Sequence, residues 1–134
     1  MGRKRAGFET KNQCREACEQ RLVSRGLAFD SATGRLFVSG AYLAVIDIKS
    51  GKVVCSADIT RDVDHVAFDR VSRRIYCAGP EGITVLQAIP AGVIFVGTTA
   101  TSATRNVIVD PKTQAVWTIY TDGNKSFAKS WVLP

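Results

Sequence analysis

The sequence predicts an all-β fold made of about three copies of one antiparallel four-stranded unit, the last copy incomplete. Three observations predict it. A thirteen-residue pattern recurs around Asp30, Asp69 and Asp110, at spacings of 39 and 41 residues. Each of the first two copies is followed by glycine-containing breaks and two further short apolar runs. The inner runs Leu27-Ala28-Phe29, Leu36-Phe37-Val38 and Val45-Ile46 are apolar at consecutive positions instead of alternating, as strands covered on both faces require.

The first copy, residues 26–38, reads GLAFDSATGRLFV; the second, 65–77, reads HVAFDRVSRRIYC; the third, 106–118, reads NVIVDPKTQAVWT. Each has a short apolar run, an Asp with Ser or Thr three residues later, and a second apolar or aromatic run. That is a β-hairpin signature, because the Asp carboxylate and the hydroxyl can both bond backbone amides of the turn. Asp30, Asp69 and Asp110 are therefore read as structural turn residues.

A third strand follows each of the first two hairpins, at Leu43 to Ile48 after Gly40-Ala41, and at Ile83 to Leu86 after Gly79-Pro80-Glu81-Gly82. A fourth follows a further turn, at Val53 to Ile59 and at Val93 to Thr98. The third copy reaches Trp131-Val132-Leu133-Pro134 without a fourth run. Four short strands in about 40 residues is the period of a β-propeller blade. The expected organisation is a basic segment at 1–24, partly disordered or covering a sheet edge, followed by blades at 25–60, 61–99 and 104–134. Any helix is expected at about 12–22, around Cys14 and Cys18.

Together with VIDIKSGKVV at 45–54, the first copy resembles the YVTN/YncE-like propeller repeat, and the match extends over about residues 24–133. The resemblance implies a propeller, a fold used by related proteins as binding platform, surface protein or redox-enzyme subunit. It also implies enough blades to close a ring, and commonly export. The chain carries about three blades, so a homodimer or a neighbouring propeller chain is the expected partner.

The net charge of +6 is uneven: residues 1–25 carry +4 and residues 26–134 only +2. A basic terminus of this kind reads as a solvated tail, so nucleic-acid binding is not expected. No run of eighteen apolar residues occurs and no apolar stretch follows Arg3-Lys4-Arg5, so membrane insertion is not expected. The chain as written reads as cytoplasmic, with a periplasmic or extracellular location as the alternative that the resemblance implies. Cys14, Cys18, Cys55 and Cys77 lack the paired spacing of a zinc site and read as structural thiols or one disulfide.

None of the common nucleophile-elbow, P-loop, dinucleotide or zinc-protease motifs occurs, and His65 is the single histidine. No catalytic residue, cofactor or metal is expected. The weak binding candidates are Asp62, Asp64 and His65, ahead of and at the start of the second copy, and Arg105 and Asn106 at the corresponding place in the third. Trp117, Tyr120, Phe127 and Trp131 read as packing between blades, or as an interface where a face is left open. The functional expectation is a non-enzymatic binding or scaffolding module. The alternative is a fragment or subunit of a propeller enzyme, lactonase-like or quinoprotein-associated.

Overall fold

The computed structural model describes residues 25–99 and 104–132, and all regular structure among them is β-strand. The helix expected at 12–22, with Cys14, Cys18 and the basic segment, lies outside the described residues. The first sheet contains β1 (Gly26–Asp30), β2 (Arg35–Ser39), β3 (Tyr42–Asp47) and β4 (Lys52–Asp58), hydrogen-bonded in that order. The second contains β5 (His65–Asp69), β6 (Arg74–Gly79), β7 (Gly82–Ile89) and β8 (Gly92–Thr99), in the same order. The third pairs β9 (Asn106–Val109), β10 (Val116–Asp122) and β11 (Lys125–Trp131), three strands among the described residues. Even the irregularity repeats, since the register shifts at Val45/Ile46 in the first sheet and at Val85/Leu86 in the second.

The turns share one geometry. In each hairpin the amide two residues beyond the Asp reaches one carboxylate oxygen: Ala32 on Asp30 at 3.1 Å, Val71 on Asp69 at 3.0 Å, Lys112 on Asp110 at 2.9 Å. The hydroxyl one residue later donates to the other oxygen: Thr33 at 2.6 Å, Ser72 at 2.6 Å, Thr113 at 2.8 Å. The next residue turns left-handed, with φ of 70° at Gly34, 63° at Arg73 and 61° at Gln114, and its amide closes the loop on the Asp carbonyl. Asp47, between β3 and β4, builds the same turn with Ser50 and Gly51.

Strand alternation gives each sheet two faces. Ala28, Phe37 and Val45 form one cross-strand row in the first sheet, and Ala67, Tyr76 and Val85 form the equivalent row in the second. The first row packs into a cluster with Val66, Ile75, Cys77 and Leu86 from the opposite face of the second sheet. Phe37 meets Phe68 there, with ring centroids 5.2 Å apart. The second row packs with Ala78 and Ile83 against Val107, Val109, Val116 and Trp131 of the third sheet. Two apolar seams therefore join three sheets, and β5 runs against both β1 and β9.

Among the described residues, only the second sheet is covered on both faces. The consecutive apolar pattern of Leu27-Ala28-Phe29 suggests the same for the first, but Leu27 is 62% and Phe29 48% exposed on the face away from the seam. At the other end Ile108, Trp117 and Ile119 are exposed.

Gln114 holds a left-handed backbone that favours glycine, and its half-buried side chain donates to the nearby Pro111 carbonyl. Gln114→Gly should therefore raise the unfolding free energy by about 1 kcal/mol, the cost of that conformation for an L-residue. Urea denaturation reads this, and a loss of stability would contradict the turn geometry.

Candidate functional site

The residues that lead into the inner strands come together at one end of the seams. Arg25 precedes β1, Asp64 precedes β5 and Arg105 precedes β9, so the three occupy equivalent places. Arg25 Nη1 donates to Asp64 Oδ1 at 2.7 Å, tying the first sheet to the second at this rim. Sequence reading singles out Asp64 but not its partner, because Arg25 looks like the last residue of the basic segment. Arg61 and Glu81 form a second pair at 2.7 Å, and each holds the other more firmly ionised through that hydrogen bond and the charge attraction behind it.

The segment that carries Asp62 is held tightly. A side chain at Gly79 would meet the Arg61 carbonyl at 2.6 Å, so only glycine lets β6 approach it. Asp62 has a left-handed φ of 53°, and Thr84 Oγ1 accepts the Thr60 amide at 2.8 Å.

His65 is engaged across a seam. Its Nδ1 accepts the Val107 amide at 3.1 Å, which spans the seam between second and third sheets. Asn106 is exposed next to that bond, and its carbonyl accepts Thr118 Oγ1 at 2.6 Å. Arg105 and Asn106 line a shallow pocket of about 240 Å³ with Ile119, Tyr120, Thr121 and Ser126. The five candidates thus fall at two adjacent lead-ins, Asp62, Asp64 and His65 at one and Arg105 and Asn106 at the other. Tyr120 stacks on Phe127 with centroids 5.4 Å apart, while Trp131 packs in the seam.

The turn aspartates sit apart from this rim, at the opposite ends of the inner strands. Asp30 is buried and accepts Arg73 Nη2 at 2.6 Å from the second sheet's turn. Burial would raise its carboxyl, but the hydrogen bonds from Arg73, Thr33 and Ala32 and the Arg73 charge outweigh it, and the group is held below its ordinary value. That cross-seam pair joins residues 43 apart, and a local pattern gives no signal for it. Backbone and hydroxyl donors lower Asp110 as well. Cys55 and Cys77 are free thiols, and burial pushes the Cys77 thiol up to about 12, far from a reactive thiolate. Among the described residues no three His, Cys, Asp or Glu side chains gather as a metal site, and no helix is long and apolar enough to cross a membrane.

No family model and no curated protein matches this chain. Solved structures do. The β-propeller domain of Cps50 (Swd1) from Myceliophteria thermophila superposes with a TM-score of 0.65 at 12% identity, over 93% of this chain and 44% of that one. A chain of the mitotic checkpoint complex gives 0.69 at 13% identity, over 82% of this chain and 36% of that one. A chain of the nidogen/laminin complex gives 0.55 at 16%, over 80% and 48%. The three sheets are β-propeller blades, the last incomplete among the described residues. The chain spans less than half the length of each of these structures.

Asp30 and Asp69 hold equivalent turns, but only Asp30 also accepts an arginine across a seam. Asp69→Ala should cost about 1 kcal/mol, and Asp30→Ala about 2 kcal/mol because a charge-assisted bond is lost too. The lowered Asp30 carboxyl makes a contribution that is whole above its unfolded value of about 4 and is lost as pH falls through the folded one. Denaturation at pH 7 and pH 3 should show Asp30→Asn losing less stability on acidification than the parent. Equal losses would mean that the pair adds nothing.

Proposed function

We propose that this chain is a non-enzymatic β-propeller module for binding or scaffolding, of the YVTN/YncE-like repeat type. One observation carries the reading: the groups that chemistry would need are spent on the scaffold. Asp30, Asp69 and Asp110 each accept bonds from their own turns, and His65 accepts a backbone amide across a seam. The lead-in rim carries charges of both signs, with Arg25, Asp64, Arg61, Glu81 and Arg105 there. Mixed charge at a rim favours orientation and selection of a protein partner over tight capture of a polyanion. Two of the similar chains come from complexes, nidogen/laminin and the mitotic checkpoint complex, which supports a partner-binding use. The free thiols at Cys55 and Cys77 support a reducing compartment such as the cytoplasm.

The immobilised chain should retain a protein partner from an extract of its own source cells. Arg61→Glu combined with Arg105→Glu should weaken retention roughly tenfold with an unchanged melting temperature. Hydrolysis of lactones by the purified chain with calcium or magnesium would overturn the non-enzymatic reading, as would retention indifferent to both rim charges.

A further inference from the structure

We infer that the two exposed end faces are complementary halves of a third seam, and that a second copy of this chain closes it head to tail. The molecule contains its own template for such a contact. In the seam between first and second blades, the row Ala28, Phe37, Val45 packs against the face carrying Val66, Phe68, Ile75 and Leu86. Between second and third blades, Ala67, Tyr76 and Val85 pack against Val107, Val109 and Val116. One face type always meets the other. The register and the repeat then identify the uncovered members of each type.

On the third blade, Ile108 and Trp117 stand where Ala28 and Phe37 stand on the first, and Ile119 is the next residue on that side of β10. They line an apolar groove of about 370 Å³ together with Asn106 and Ala128. Ile108 is 62% and Ile119 52% exposed. On the first blade, Leu27 and Phe29 stand where Val66 and Phe68 stand on the second, flanked across the strand pair by Val38 and Leu36. Each exposed face thus lacks the partner type that the other presents.

A polar position follows the same logic. His65 accepts the Val107 amide across the second seam, and Asn106 occupies the place equivalent to His65. A side-chain amide oxygen can accept in the same way, from the Leu27 amide of the second copy.

The three described blades cannot close a ring by themselves, because propellers close with about four to eight. Two copies supply six blades and two identical seams. A contact between unlike faces ends in a ring only when its rotation closes, and closure at six removes both apolar faces from water at once. The second copy is therefore the occupant with the right surface already built.

Light scattering on the full chain at micromolar concentration should give twice the chain mass of 14.5 kDa. Ile108→Glu and Leu27→Glu should each reduce the mass to that of the single chain, with an unchanged far-ultraviolet strand spectrum. Mixing the two variants should restore one unsubstituted seam and with it a weaker pair, because one retains the first-blade face and the other the third-blade face. Recovery on mixing cannot come from a contact between like faces, nor from two misfolded chains. A wild-type monomer with an intact strand spectrum would overturn the inference and direct attention to residues 1–24 as the cover. A dimer lost on substitution of only one face would also overturn it, in favour of an isologous contact.

Discussion

Contact between unlike apolar faces of neighbouring sheets is the interaction on which this structure depends. A single four-stranded sheet buries nothing on its own; each row of side chains loses water only when the next sheet is laid on it. The second blade has two such neighbours, and its residues show the result. Ile75, Cys77, Ala78, Ile83 and Leu86 are completely buried, and the Cys77 thiol is driven far above its ordinary range. At about 2 kcal/mol for each large aliphatic side chain taken from water, these residues outweigh the solvent-screened ion pairs at the rim.

Polar contacts act at the margins of the seams, where they fix angle and register. Arg73 reaches from the second blade's turn to Asp30 and lies over the Phe68 ring, its carbon 5.0 Å from the centroid. Arg35 answers from the first blade, donating to the Ile89 and Pro90 carbonyls at 3.1 and 2.7 Å. His65 performs the corresponding task between second and third blades. Gly26 shows how close the approach is, since a side chain there would meet Val66 Cγ2 at 2.6 Å. Seam packing is thus the source of stability, and Asp30, Asp64 and His65 are engaged at its margins.

Much of this architecture is legible in the sequence because it is local and repeated. The strand runs, the Asp-to-hydroxyl turns at Asp30, Asp69 and Asp110, and the three described strands of the third sheet all follow from short-range pattern. The turn after β3 is legible at Lys49-Ser50-Gly51-Lys52, but its anchor escapes, because Asp47 reads as part of the strand run Val45-Ile46-Asp47-Ile48. What joins one blade to the next is not local. Arg73 and Asp30, Arg25 and Asp64, and His65 and Val107 lie roughly one repeat apart, and nothing near either member marks the other. Periodicity likewise shows that Leu27 and Phe29 suit a covered face, but coverage depends on what lies beside the blade.

If cover on both faces governs local stability, protection of backbone amides should follow blade position and not strand length. Native-state hydrogen exchange on the Ile108→Glu chain tests this most directly, because the charged third-blade face keeps assembly out of the measurement. The amides of β6 and β7 should exchange slowest, with those of β2, β3 and β10 opening at lower free energy. Equal protection of β2 and β3, or slowest exchange in β10, would contradict the claim that the second blade's two seams hold the fold together.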